Sequence, residues 1–418
     1  MSNSTTDVME VFHLQHPSKQ VKGSVTPPAS KSESNRVLVI DAITGRQSKL
    51  ENLSNARDTQ TMIRLLDSDS NPVWDVLDAG TTMRFLTAFS AINGKSREMT
   101  GTARMKQRPI KLLVDALREL GANIEYKENE GFPPLLIHPF KPEQAKTDRI
   151  QIKGDVSSQY ITALLMIAPV LPKGLTLELL GHVGSKPYIS MTLRLMEKFG
   201  VTSNWNRDTN VITISHQSYK ATQHKVESDW SGSSYWFSMV ALAQEAELQL
   251  NGYVKDSLQG DSAIVDIMDQ LGVHTEYNTE GLRLTKKAIA SSFNWDFTDC
   301  PDLAQTIAVV LAAKGMEGTL SGLQSLRIKE TDRIAAIQNE LKKFGADMIE
   351  IEKDVTYKVI PGAFKVNGQQ IHTYEDHRMA MAFAPLALLG KVSIEEPSVV
   401  NKSYPDFWTD LKKFGFTF

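Results

Sequence analysis

Two kinds of apolar segment alternate along the chain. The first kind spaces its apolar residues by three and four and then stops at Leu-Gly or Phe-Gly, followed by an extended stretch. "LVDALRELGANIEY", "LRLMEKFGVTSNW", "IVDIMDQLGVHTEY", "IQNELKKFGADMIE" and "WTDLKKFGFTF" are five copies, with stop glycines at Gly121, Gly200, Gly272, Gly345 and Gly415. A weaker sixth copy, "TQTMIRLLDSDS", lies around residues 59–70. This spacing predicts amphipathic helices on the outside of a fold, each closed by a glycine just past its end. The second kind is apolar nearly all round behind a polar lead-in: "SKSESNRVLVIDAITG", "DAGTTMRFLTAFSAING", "GDVSSQYITALLMIAPVL", "SDWSGSSYWFSMVALAQ", "PDLAQTIAVVLAAKG" and "EDHRMAMAFAPLALLG". These read as buried helices. Between the two kinds come short alternating strands, "SREMTG", "LTLELLG", "LQLNGY", "GTLSG" and "VSIEE".

The stop glycines recur at about 70–80 residues, a period that marks a repeat architecture. Six helix–strand–helix–strand units result, three on each side of residue 228 or so, forming two similar halves. At 418 residues the chain is also too long for one ordinary core.

Composition narrows the function. Hydrophobic residues at 41% and charged residues at 23% describe a globular protein. A net charge of −3 argues against a general nucleic-acid binder. Tyr160–Leu171 is the longest apolar run and is too short for a membrane helix. The first twenty residues hold one lysine and two acids without an apolar core, so neither a secretory nor a transit peptide is expected. A single cysteine, Cys300, allows no internal disulfide and fits a reducing compartment, so the cytoplasm is the expected location.

The polar lead-ins are where chemistry is expected. Helix N-termini present unpaired N–H groups and attract anions. Here they carry Lys31, Arg36, Arg84 and Arg378, and nearby loops add Arg104, Arg108, Lys186, Lys329, Arg333 and Lys402. In a chain of negative net charge, such a set points to a small, multiply anionic ligand. Asp302 and Glu330 stand among these cations as candidate bases. Ser157, Ser158, Gln159, Ser185 and Tyr188 offer hydroxyl and amide groups. Taken singly, the cations read better as surface charges and the hydroxyl and amide groups as helix caps, while Asp302 and Glu330 read at least as well as a helix cap and a surface pair. The stretch "PPASKSESNR" looks like a phosphate loop but lacks its glycines. No HExxH, GxSxG, GxGxxG or Cys/His cluster appears.

In order and spacing, "PPASKSESNR", "DAGTTMRF", "TARMKQRPI", "GDVSSQY", "SKPYI", "PDLAQT", "RIKETDR", "EDHRMAMAF" and "NKSYPDF" resemble the enolpyruvyl transferases, from about residue 20 to the C-terminus. The resemblance implies an α/β fold of two inside-out, barrel-like domains, each of three βαβαββ repeat units. One domain would comprise residues 1–29 with 228–418 and the other 30–227. The chain would cross near 27–30 and 227–229, and the two halves would close over substrates. The implied reaction joins phosphoenolpyruvate to the 5-hydroxyl of shikimate 3-phosphate by addition and elimination, releasing phosphate. The implied catalytic residues are Asp302, Glu330 and Lys31. Phosphoenolpyruvate would be held by Lys31, Gly80, Arg104, Gln159, Arg333, His377, Arg378 and Lys402. Shikimate 3-phosphate would be held by Lys31, Ser32, Arg36, Ser157, Ser158, Gln159, Ser185, Tyr188, Asp302 and Lys329. A crowd of arginines is expected to disfavour the charged form of Lys31. No metal or organic cofactor is implied, nor a nucleic-acid or membrane partner, and the chain is expected to act as a monomer.

The sister activity on UDP-N-acetylglucosamine is the alternative; it usually brings a reactive cysteine in the loop that here reads "TARMKQRP". A non-catalytic repeat scaffold is a third reading, marked by decay of the charged set, which is intact. Three positions depart from the family pattern: Ala29 stands for Gly, Asp78 for Asn and Phe85 for Pro. Asp78 would burden an anion site unless a cation offsets it. Retention of Gly80 implies sensitivity to glyphosate.

Overall fold

A computed structural model describes residues 10–68, 70–154, 157–329 and 331–418. The chain divides into two compact units, Met1–Pro28 with Ser228–Phe418, and Ala29–Glu227. They are called here the outer-chain and inner-chain units.

Among the described residues twelve α-helices alternate between the two predicted kinds. The buried kind comprises α1 (Lys31–Ile43), α3 (Gly80–Ile92), α5 (Ser158–Ile167), α7 (Trp230–Leu242), α9 (Ala304–Ala313) and α11 (His377–Phe383). In α7 every residue except Ser231 is buried, and α11 is buried throughout. The amphipathic kind comprises α2 (Arg57–Asp67), α4 (Lys111–Glu119), α6 (Lys186–Lys198), α8 (Ile264–Gln270), α10 (Arg333–Lys343) and α12 (Phe407–Lys413). Their buried residues keep helical spacing, as with Leu113, Val114, Ala116 and Leu117 in α4. Packing follows from this division. In the inner-chain unit α1, α3 and α5 touch one another, and in the outer-chain unit α7, α9 and α11 do the same. An apolar surface on all sides is satisfied by helices in the middle of a unit, with one-sided helices covering the outside.

The stop glycines are fixed by backbone geometry. All five lie in left-handed conformation, which a Cβ disfavours, as at Gly345 with φ +83°. The sixth copy has no glycine, and α2 ends instead at Ser68 with φ −100°.

Strand pairing repeats one plan. Phe293–Asp296 runs parallel to Gly318–Ser321; α9 lies between them in sequence. Thr356–Ile360 then pairs antiparallel with Gly318–Ser321, and Asp347–Glu352 antiparallel with Thr356–Ile360. This is a βαβαββ order. Val73–Asp75 through Leu135–Ile137 and Arg149–Lys153 through Val211–Ile214 follow the same plan with α3/α4 and α5/α6. The remaining repeats draw a strand from a distant part of the chain. Gln20–Val25 pairs parallel with Glu245–Asn251, and Gln223–Lys225 parallel with Lys49–Glu51. Val11–Leu14 pairs antiparallel with Val392–Glu395, itself parallel to Gln369–Ile371. Each unit thus holds three sheets among its described residues.

Where the chain passes between units, it is tied on each side. In the outer-chain unit the Asp229 amide donates to the Pro28 carbonyl at 2.8 Å, and in the inner-chain unit the Ser30 amide donates to the Glu227 carbonyl at 2.8 Å. Pro27 and Pro28 have no N–H to offer, and their fixed φ keeps this stretch extended.

Candidate active site

Each unit gathers polar groups at the N-terminal ends of its buried helices. In the outer-chain unit the centre is Asp302, in the turn leading into α9. Its Oδ1 accepts from Arg333 Nη1 at 2.9 Å, and its Oδ2 from Arg378 Nη2 at 2.9 Å. Lys329 Nζ lies 3.6 Å from Oδ1. Arg333 opens α10 and Arg378 stands in the first turn of α11, so two helix starts deliver their guanidinium groups to one carboxylate.

Arg333 is only 1% exposed and is held from behind by Asp376, whose Oδ2 accepts from its Nε at 2.7 Å. Asp376 also caps α11, accepting the Arg378 amide at 2.9 Å. One buried carboxylate therefore fixes both arginines, one through its side chain and one through its backbone. Truncating either side of such a cluster leaves a buried charge without compensation, which is costly. Arg378 Nη1 further reaches the Tyr235 hydroxyl and the Asp302 carbonyl, both at 3.4 Å. Burial pushes the Tyr235 phenol up to about 12, with Arg378 opposing, so it is neutral at physiological pH and accepts from Arg378. His377 and Lys402 are both buried in this unit, His377 with its Nδ1 3.6 Å from Asp376.

Behind Asp302 lies a second acid. Asp261 is buried, with Oδ2 against the Ser231 hydroxyl and, among the described residues, no hydrogen-bond partner for Oδ1. Burial pushes it up to about 7, and the charge of Asp302 adds to the shift while Arg378 opposes it. Cys300 is buried, and burial raises its thiol well above the ordinary range, which argues against a nucleophilic thiolate.

In the inner-chain unit Arg36 is the counterpart. It is 3% exposed and, among the described residues, makes no ion pair. Its guanidinium is held by neutral oxygens instead: Thr192 Oγ1 at 2.9 Å, the Ser32 carbonyl at 2.7 Å and Thr162 Oγ1 at 3.3 Å. The rings of Phe85 and Tyr188 lie 5.4 and 5.6 Å from its Cζ. Burial brings its pKa down to about 10, so it stays charged at neutral pH. A buried cation without a carboxylate is suited to receive an anion.

Lys31 begins α1, and its Nζ lies 3.2 Å from Asp58 Oδ2. A carboxylate from α2 thus faces the Lys31 ammonium. Gly80 begins α3 directly beneath Arg108: a Cβ there would fall 2.6 Å from both Nη1 and Nη2. Glycine is what lets that guanidinium lie on the helix start. Arg84 and Tyr160 hold the arginine-bearing loop by donating to the Pro109 carbonyl at 3.0 and 2.5 Å. Arg84 is itself buried, which lowers its pKa to about 10, with Arg108 adding to the effect. Arg104 is exposed, with Gln107 Oε1 3.5 Å away. Gln159 joins two helix starts, donating to Thr81 Oγ1 at 3.1 Å. Ser157 caps α5 and Ser158 is its first residue. Ser185 precedes α6 at φ +54°, a strained setting for a residue with a Cβ, and places Tyr188 beside Arg36.

Within the outer-chain unit, the structure brings together Asp302, Lys329, Arg333 and Arg378. Within the inner-chain unit it brings together Arg36 with Tyr188, and Gln159 with the helix start at Gly80. Glu330 lies outside the described residues. Sequence reasoning missed Asp376, Tyr235, Asp261, Asp58 and Arg57. Asp376 was visible in "EDHR" as a helix cap; the others carry no local signal. Arg57 resolves one departure, since its Nη2 lies 2.8 Å from Asp78 Oδ2 and offsets that carboxylate. Phe85 finds a use against Arg36. Among the described residues no group of three or more His, Cys, Asp or Glu side chains is placed to hold a metal ion. No helix among them is long and apolar enough to cross a membrane.

Comparison with known proteins places this arrangement. The family model for EPSP synthase (3-phosphoshikimate 1-carboxyvinyltransferase) matches residues 15–68 and 64–411. A 3-phosphoshikimate 1-carboxyvinyltransferase of Bacteroides fragilis (strain YCH46) is 48% identical over 411 residues, covering 97% of this chain and 98% of the relative. One from Haemophilus ducreyi is 34% identical over 428 residues, covering 95% and 97%. Among solved structures, EPSP synthase from Acinetobacter baumannii superposes with a TM-score of 0.77 at 20% identity, covering 97% of this chain and 99% of that one. The enolpyruvyl transferase NikO from Streptomyces tendae gives 0.73 at 13% identity, covering 98% of each. These two likenesses bear on the fold; the sequence matches, which span nearly the whole length, decide the family. The chain belongs to the EPSP synthase (3-phosphoshikimate 1-carboxyvinyltransferase) family.

Proposed function

We propose that this chain transfers the enolpyruvyl group of phosphoenolpyruvate to the 5-hydroxyl of shikimate 3-phosphate, in the route to chorismate and the aromatic amino acids. The hydroxyl oxygen bonds to C2 of phosphoenolpyruvate while its proton passes to a base and the methylene carbon gains a proton. The tetrahedral adduct then loses phosphate from C2 and a proton from the methyl group, leaving the enol ether. Atoms balance without a cofactor.

The observation that carries this reading is Asp302 at the meeting point of Arg333, Arg378 and Lys329, in a chain 48% identical to a relative that bears the activity's name. Asp302 is the base for the 5-hydroxyl. Glu330 or Lys31 supplies the methylene proton. Lys31, Gly80, Arg104, Gln159, Arg333, His377, Arg378 and Lys402 take phosphoenolpyruvate. Arg36, a buried cation held by neutral oxygens, takes shikimate 3-phosphate with Lys31, Ser32, Ser157, Ser158, Gln159, Ser185, Tyr188, Asp302 and Lys329. The substrates are small water-soluble anions, and we place the enzyme in the cytoplasm, acting as a monomer.

The test is phosphate release from phosphoenolpyruvate supplied with shikimate 3-phosphate, with UDP-N-acetylglucosamine, or with neither. Release only with the first is expected. Release with the UDP-sugar alone, or with none, ends the proposal.

A further inference from the structure

The first turn of α1 carries a capping sequence whose two halves have been separated. Ser30-Lys31-Ser32-Glu33 has the S-x-x-E spacing, in which the serine side chain takes the glutamate amide and the glutamate side chain reaches back to the serine amide. The first half is made, with Ser30 Oγ accepting from the Glu33 amide at 3.3 Å. The second is not. The Ser30 amide is already given to the Glu227 carbonyl at 2.8 Å, which frees the Glu33 carboxylate. That carboxylate turns to the segment just ahead of the second crossing. Its Oε1 lies 2.7 Å from His224 Nε2, and its Oε2 accepts from the Glu227 amide at 3.4 Å. Three bonds therefore tie this turn to residues 224–227, all within the inner-chain unit.

Glu33 and His224 are 3% and 6% exposed. A buried polar pair of this kind is expensive, and an apolar pair of similar volume commonly serves stability as well or better. The proposed reaction gives Glu33 no part in bond making. What it adjoins is the turn presenting Lys31, Ser32 and Arg36, and the Ser32 carbonyl, one residue before Glu33, receives Arg36 Nη1 at 2.7 Å. We infer that Glu33 is a positioning residue, which sets the first turn of α1 by anchoring it to His224 and the Glu227 amide, and so aims Lys31 and Arg36 at the anionic substrate. Small displacements of such groups are costly to binding and turnover.

This inference rests on the function proposed above, and its test separates the two. Glu33→Leu/His224→Phe replaces the polar pair by an apolar one. Its melting temperature should stay near that of the wild type, while KM for shikimate 3-phosphate rises about fivefold or more and kcat changes by less than about twofold. Glu33→Asp keeps the charge but shortens the reach, and should raise KM in the same sense whether or not the double variant folds. Glu33→Gln, which keeps length and an acceptor, should return KM to within about twofold of wild type. An unchanged KM in Glu33→Asp, or in a folded double variant, overturns the positioning role. A wild-type protein that does not turn over shikimate 3-phosphate overturns the functional reading and this inference with it.

Discussion

Asp302 shows how a single residue's setting decides its chemistry. Its two oxygens each meet a guanidinium, and both arginines are partly committed to other groups, Arg333 to Asp376 and Arg378 to Tyr235. Removing one cation should therefore weaken substrate capture and lower stability, while the remaining bonds keep the fold. Arg378→Ala, and separately Lys31→Met, are expected to lower kcat/KM for phosphoenolpyruvate more than about tenfold, since each removes a charge-assisted contact, while circular dichroism shows the fold retained. Near-normal kinetics in both would count against the assigned roles. A second expectation concerns Asp78. Arg57→Ala should raise KM for phosphoenolpyruvate severalfold by taking a cation away from that carboxylate, and adding Asp78→Asn should bring KM back. The candidate cations and Asp302 were legible because they sit in motifs with fixed spacing. Asp58, Arg57 and Tyr235 were not, because each acquires its meaning from a partner 21 or more positions away that only folding brings near.

At the scale of elements, helix starts do most of the work. Asp332 caps α10 by accepting from the Ala335 amide at 3.0 Å and also receives Arg327 at 3.0 Å. Asp332→Ala should cost about 1 kcal/mol of stability, read as a lower urea midpoint. Since Arg333 is the next residue, kcat/KM should fall as well. Helix ends were easy to read from glycines that only a left-handed turn requires. The strands were harder. Three-residue strands such as Lys49–Glu51 and Gln223–Lys225 carry too few alternations to stand out, and their pairing across more than 170 positions leaves no local mark.

For the whole molecule, acidity reaches into the core. The Asp261 carboxyl is pushed up to about 7, above its ordinary value of 3.8, by burial and by Asp302. Above the unfolded value the unfolded chain releases this proton while the native protein keeps it, so the native state loses relative stability as pH rises from about 4 to 7. Asp302, Arg378, Asp229 and Cys300 share this environment. Asp261→Asn keeps the shape without the proton, so its melting temperature should gain on the wild type between pH 5 and pH 7.5. A constant gap would show that the site does not titrate. The repeat and its two kinds of helix could be seen in the sequence because periodicity survives in one dimension. Which strand completes which sheet could not, because strand exchange between remote segments obeys no spacing.

That exchange has a bearing on how the protein is made. Val11–Leu14 and Gln20–Val25 are synthesised well before their partners, Val392–Glu395 and Glu245–Asn251. Val11–Leu14 must wait until Val392–Glu395 is made, exposing edges that other chains could seize, and such distant pairing is slow to form. Residues 29–227 are contiguous, and their longest pairing, Lys49–Glu51 with Gln223–Lys225, is complete once residue 225 is made, so biosynthesis imposes an order: this unit can mature while Val11–Leu14 is still without its partner.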